Sequence, residues 1–243
     1  MKRVLLVMLV LLSAGCTQNA GAAAPRLYVV AEQAPGQQVA DPSRFSAIIG
    51  YPDQCVTGIP CWTYTKGTRS AVSTYPESWY LHVNGVRVVD DVYHLYVMDP
   101  RSAGWQQHVA QVCGETCFID ALGPGALARD TPAIPWTPAE WVAATTGIVK
   151  AVVAAGKRAM PNNVGSDPVL AAQLVQAAGR GSDEAFDAST AQRILAVGHI
   201  WVSERGGCLS KYAAFLKYRG RGDHFSCYEF GTAPWDTGWM SGG

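Results

Sequence analysis

From about residue 93 onward the chain alternates short apolar or β-branched runs with stretches of helical periodicity, and this alternation constrains the fold more than any other feature. The runs lie at 93–98, 117–122, 158–160, 182–186, 212–218 and 225–230, and most read as buried strands. Between them, Ala103–Val112 places Trp105, Val109 and Val112 on one helical face. The stretch 138–155 follows Thr137, a good N-cap, with Glu140 placed to complete a capping box. Asp167 stands before Pro168–Ala178 with proline at the first helical position, and Ser189 suits the N-cap of a helix reaching about residue 202. Parallel strands joined by helical crossovers follow, so the fold class is α/β, either an open doubly wound sheet or a (β/α) barrel. Upstream, runs at 27–31, 45–50 and 79–83 precede a different signal. Asn84-Gly85 between 79–83 and 86–89 spells a β-hairpin, because Asn-Gly suits a two-residue turn with positive φ at both positions. We read this hairpin as an insertion on the main sheet.

The N-terminus sets the domain boundaries. Lys2 and Arg3, an apolar run at 4–12 and small residues Ser13-Ala14-Gly15 before Cys16 have the order of a secretory signal. The run falls short of the roughly 20 apolar residues of a membrane span. Leu12-Ser13-Ala14-Gly15-Cys16 resembles the lipobox of bacterial lipoproteins, which implies a signal peptide at 1–15 and lipid on Cys16. The competing reading is an ordinary secretory signal cleaved within 20–25, with Cys16 discarded. Residues 16–25 then form a flexible tether, and 26–243 form a single domain without repeats or long linkers. The expected location is the outer face of a cell membrane or envelope, reached by export and held by the lipid.

Six cysteines remain: Cys55, Cys61, Cys113, Cys117, Cys208 and Cys227. In an oxidising compartment an even number reads as disulfides, and local clustering favours Cys55–Cys61, Cys113–Cys117 and Cys208–Cys227. Metal is disfavoured because neither a C-x2-C spacing nor a histidine pair at zinc-ligand spacing occurs. Removing Lys2 and Arg3 from 19 basic residues leaves 17 against 19 acidic ones. A mature chain of net charge about −2 with no basic block is not built for nucleic acid.

In parallel α/β folds, function collects where strands end. That rule selects Asp99, Asp120, Asn162 with Asn163, and Glu184. Asp120 shares a strand face with Phe118, and Glu184 with Ser182 and Phe186, so both carboxylates can face a barrel mouth. Two carboxylates in an aromatic-rich cleft are the minimal apparatus for glycosidic cleavage, one donating a proton and the other acting as nucleophile or base. Aromatic rings are plentiful, among them Trp62, Tyr64, Trp79, Trp136 and Trp201. A bland reading stands beside this one: Asp120 before Gly123-Pro124-Gly125 can cap a turn, and loop tryptophans often serve packing. The G-x-G-x-x-A match at 123–128 is rejected as a dinucleotide site, because 129–135 holds Pro132 and Pro135 where the phosphate-binding helix should run. Of the five histidines only His224, beside Asp223, merits a test.

Several stretches together resemble a family of bacterial TIM-barrel glycoside hydrolases related to the endo-α-1,4-polygalactosaminidase group. They are Trp79-Tyr80-Leu81 through Asn84-Gly85, Tyr96-Val97-Met98-Asp99, Cys117-Phe118-Ile119-Asp120-Ala121-Leu122-Gly123-Pro124, Pro161-Asn162-Asn163-Val164-Gly165, Asp183-Glu184-Ala185-Phe186 and Tyr212-Ala213-Ala214-Phe215-Leu216. The resemblance implies a TIM-type barrel, shortened or irregular in its N-terminal part. It also implies Asp120 and Glu184 as catalytic carboxylates, with Asp99 and Asn162 lining the substrate groove; Trp79 and Trp136 are added as substrate-stacking candidates. The expected protein is a monomeric, envelope-anchored glycosidase that needs no cofactor or metal and takes a polysaccharide as substrate. The alternative is a non-catalytic surface lipoprotein, a receptor or exclusion factor, binding a glycan or protein through the same mouth.

Overall fold

The computed structural model describes residues 26–130, 134–165, 167–184, 187–219 and 223–241. The expected signal peptide at 1–15, the tether at 16–25 with Cys16, and Phe186 lie outside the described residues. Eight parallel strands run in sequence around a nearly closed barrel: β1 (Arg26–Val30), β2 (Ala47–Gly50), β3 (Cys61–Lys66), β4 (Thr116–Asp120), β5 (Arg158–Pro161), β6 (Arg180–Asp183), β7 (His199–Arg205) and β8 (His224–Tyr228). Hydrogen-bonded pairing runs from β6 through β8 to β1 and on to β5. This is a TIM-type α/β barrel, the fold that the alternation and the resemblance together implied.

Helices cover the C-terminal two-thirds. α1 (Ala103–Val112) leads into β4; α2 (Pro124–Asp130) and α3 (Pro138–Ala154) join β4 to β5; α4 (Pro168–Ala178), α5 (Ala188–Leu195) and α6 (Cys208–Leu216) fill the later crossovers. Thr137 accepts from the Glu140 N–H while the Glu140 carboxylate accepts from the Thr137 N–H, closing the expected capping box of α3. The N-terminal part is irregular, as expected. Single 3-10 turns at Ala31–Gln33, Pro42–Arg44 and Pro52–Gln54 replace helices in the first two crossovers. A fully buried Gln54 holds these turns together: its Nε2 donates to Ala31 O (2.8 Å) and Ala34 O (3.0 Å), and its Oε1 accepts from Tyr51 N (3.0 Å). The buried amide thus satisfies backbone groups that helices would otherwise have paired.

Four expectations need correction. The run 93–98 is not a barrel strand: only Tyr96–Val97 is extended, pairing antiparallel with Arg69–Ser70 in a side ribbon of the 67–98 insertion. The 189–202 segment divides into α5, capped by Asp187 rather than Ser189, and strand β7, because its apolar residues beyond 198 pack into the barrel. The 212–218 run lies in α6, with Phe215 buried. The helix near the glycine motif starts at Pro124, inside the motif. The hairpin at Asn84-Gly85 forms as expected, with φ of 52° and 79°.

Three disulfides link Cys55 to Cys61, Cys113 to Cys117 and Cys208 to Cys227. They fasten the start of β3, the α1–β4 turn, and α6 to β8.

Alternate strand residues fill the barrel interior: Tyr28 and Val30 from β1, Ala47 and Ile49 from β2, Trp62 from β3, Phe118 from β4, Met160 from β5 and Trp201 from β7. Trp201 lies 4.9 Å from Tyr28 and 5.6 Å from Trp62, ring centre to ring centre. Trp201→Ala should therefore remove a central block of the interior and cost roughly 3–5 kcal/mol, read as a lower urea midpoint.

Candidate active site

The carboxyl ends of seven strands meet around a cleft of about 390 Å³. Asp120 ends β4, Asn162 follows β5 and Glu184 follows β6, so the strand-end rule and the face parity of Phe118 and Ser182 bring these three side chains to one mouth. Asn162 is buried, and its Nδ2 donates to Asp120 Oδ1 (2.9 Å) and to Glu184 Oε1 (3.2 Å). Since both distances start from one nitrogen, the two carboxylate oxygens lie within about 6 Å of each other.

Asp120 is the better surrounded of the two. Its Oδ2 accepts from the Tyr64 hydroxyl (2.7 Å), and its Oδ1 accepts from the Ala121 N–H (2.8 Å) as well as from Asn162. Burial and the Asp120 charge hold the Tyr64 phenol far above its ordinary range, so it remains a donor. The turn after Asp120 is strained. Ala121 has φ of 59° and Asn163 φ of 58°, both left-handed and uncommon for residues with a side chain. The two turns interlock: Gly123 N donates to Asn162 O (3.1 Å), and a Cβ on Gly123 would stand 1.5 Å from Asn163 O. Only glycine allows that approach.

Glu32, at the end of β1, brings a third carboxyl to the cleft. Burial, then the nearby Asp120 charge, pushes it up to about 7. Asp183, next to Glu184, is also raised to about 7, chiefly by burial, against the pull of N–H donors from Glu184 and Gly165. Tyr93 and Leu95 supply one wall from the 67–98 insertion. Their loop is pinned by buried Asp90, which accepts from the N–H groups of Val92, Tyr93 and Leu95 and faces the buried Arg69 at 3.6 Å. Arg205 from β7 and Lys66 from β3 add positive charge at the rim.

Three expected groove residues do not line this cleft. Asp99 is forked by Arg101 (2.9 and 2.8 Å), whose guanidinium lies 4.2 Å over the Trp136 ring; Arg101 and Trp136 line a separate shallow hollow on α3. Trp79 packs against Tyr75, Trp105 and His108. For Asp99 the cause is that 93–98 is not a barrel strand, so its end does not reach the mouth. His224 begins β8 at the opposite end of the barrel, beside Trp201 and Ser46. Sequence reasoning missed Glu32 as a strand-end carboxylate after 27–31, a signal of the same kind that selected Asp120. It also missed strand β3, which aims Tyr64 inward, although Trp62 and Tyr64 alternate with Thr63 and Thr65. Among the described residues no group of three or more His, Cys, Asp or Glu could hold a metal ion.

Among solved structures, the fold is similar to Aspergillus fumigatus Ega3 in complex with galactosamine, with a TM-score of 0.55 at 11% identity over 88% of this chain and 95% of that one. No family model matches the chain, and no curated protein matches it. At this identity the likeness speaks for the fold.

Because the Glu32 carboxyl in the fold is raised above its unfolded value, the native state holds a proton that the unfolded chain gives up. That contribution is complete below about pH 4 and is lost as pH rises to about 7. Glu32→Gln should flatten this decline, making the variant on the order of 1–3 kcal/mol more stable relative to wild type at pH 8 than at pH 4, by urea denaturation at both pH values.

Proposed function

We propose that this protein is a glycoside hydrolase that cleaves a cell-surface or extracellular polysaccharide by a two-carboxylate mechanism, with Asp120 as nucleophile and Glu184 as acid and base. The observation that carries the reading is the Asn162 amide shared by the two carboxylates. A spacing within about 6 Å suits a retaining reaction, in which the nucleophile reaches the anomeric carbon directly, better than the wider spacing that accommodates an intervening water. The donors on Asp120 favour the acceptor role, and Glu184, on the exposed side of the cleft, is the proton donor.

In the first step Glu184 protonates the glycosidic oxygen while Asp120 attacks the anomeric carbon, leaving a glycosyl ester on Asp120 and releasing the leaving chain as an alcohol. In the second, Glu184 takes a proton from water, whose oxygen displaces Asp120 and frees the sugar. The Tyr64 hydroxyl and the Ala121 N–H steady the Asp120 charge in the ground state and as it is restored.

An amino sugar polymer is the favoured substrate. The Asp120 carboxylate, with the Glu32 and Glu184 carboxyls beside it as acceptors, suits a protonated amine, and the similarly folded Ega3 was solved with galactosamine. The lipobox-like sequence at Cys16 supports a site of action at the outer face of the envelope. A panel of amino-sugar and neutral polysaccharides should give reducing-end release with the anomeric configuration retained. Asp120→Asn and Glu184→Gln should each lose roughly 10²–10⁴-fold in rate while still folding. Full activity in either variant would overturn that assignment, and binding without product release would favour a non-catalytic receptor.

A further inference from the structure

The barrel has one weak seam. β5 and β6 are the two ends of the hydrogen-bonded strand order, so the strands themselves leave this edge unladdered among the described residues. The seam falls between the turn that carries Asn162, which holds Asp120, and the turn that carries Glu184, and so between the two carboxylates whose spacing the proposed chemistry requires. Beside the Asn162–Glu184 bond, two further contacts bridge it. Val164 N donates to Ser182 O (3.3 Å), and the Asp183 carboxyl, which accepts from the Glu184 N–H (3.0 Å) on its own side, lies directly against the Gly165 backbone across the seam.

The fit around Asp183 is close. A Cβ placed on Gly165 would stand 1.9 Å from Asp183 Oδ2 and 2.6 Å from its carboxyl carbon, although the backbone at Gly165 is not in the left-handed region. A side chain there would have to displace the Asp183 carboxyl, so glycine leaves room, rather than a special φ, for the carboxyl to lie against the backbone of the opposing turn. The side chain faces away from the cleft, because β-strand parity sends Ser182 and Glu184 to the inside and Asp183 to the outside. It neither lines the cleft nor enters the chemistry proposed above.

We infer that Asp183 is a positioning residue, a latch across the open β5–β6 edge that fixes the Glu184 turn against the Asn162–Gly165 turn and so sets the separation of the two mouth carboxylates. A strand ladder would hold this edge by several bonds; here the Asn162 amide, the Asp183 carboxyl and one backbone bond replace it. The carboxyl geometry suits the task, since its two oxygens can serve two N–H donors on different strands at once. An amide has only one acceptor oxygen, and its NH2 would face one of the two backbone donors.

The kinetic part of the inference rests on the hydrolytic reading, whereas the latch itself can be measured without substrate. Hydrogen–deuterium exchange followed by mass spectrometry on the full chain reads the amides of 162–165 and 182–184. Asp183→Asn and the milder Asp183→Ser break one arm of the latch, and Gly165→Ala pushes it apart from the other side. Far-UV circular dichroism and thermal melting identify any variant that fails to fold, and Asp183→Ser then decides. Exchange should rise at least about tenfold in these two turns and stay unchanged in β1–β3. On whichever glycan wild type cleaves, kcat should fall by about 10–100-fold with KM shifted by less than about threefold, as expected when a reacting group is displaced by about 1 Å. Wild-type exchange in the folded variants would overturn the latch, and raised exchange with unchanged kcat would overturn its positioning role. If wild type cleaves none of the glycans, the hydrolytic reading fails while the exchange result still decides the latch.

Discussion

Filling a barrel of eight strands with Tyr28, Trp62 and Trp201 fixes where its chemistry can be. These rings pack against one another and against Phe118 and Met160, so the interior is a solid apolar floor and polar groups are confined to the rim above it. Strand parity carries the same order upward. Two residues beyond Phe118 stands Asp120, and two beyond Ser182 stands Glu184, so the register that buries the interior also aims both carboxylates into one cleft. A one-residue slip in either strand would send its carboxylate to the helix side.

Much of this could be read from the sequence, and the rest failed for identifiable reasons. Local chemistry was the dependable guide: Thr137 with Glu140, Asp167 before Pro168, and Asn84-Gly85 each formed as their short-range bonding requires. Asp120, Asn162 and Glu184 were found together because strand ends and face parity are properties of the chain. Errors came where tertiary partners override local pattern. The 93–98 run is apolar enough for a strand, yet it packs within an insertion, and Asp99 leaves the mouth with it. In contrast, β3 is half polar by sequence, because a strand lining a polar mouth does not need an uninterrupted apolar run. Glu32 was hidden in a crossover that Gln54 stabilises without a helix.

The charge distribution at the mouth has a cost that the surrounding structure carries. Burial first, and then the Asp120 charge, make Glu32 hold its proton up to about pH 7. Asp120 meets its share through directed donors, and Glu184 through the shared amide. Asn162 also restricts how far the two carboxylates can separate, so one neutral side chain supplies both compensation and geometry. Its neighbour Asn163 accepts backbone strain in the same turn, as is common where a fold places reactive groups.

The disulfides join cysteines that are consecutive in the chain, at separations of 6, 4 and 19 residues. Loops this short stabilise by roughly 2–3 kcal/mol each in the chain-entropy view. Their larger consequence concerns the order of assembly. Because the pairs follow one another along the chain without crossing, the first cysteine of each pair has its own partner as the next cysteine, so synthesis in the N-to-C direction brings each pair together without reshuffling. None of the three bonds crosses the β5–β6 edge. The edge that carries Asn162 and Glu184 is therefore held by noncovalent contacts alone.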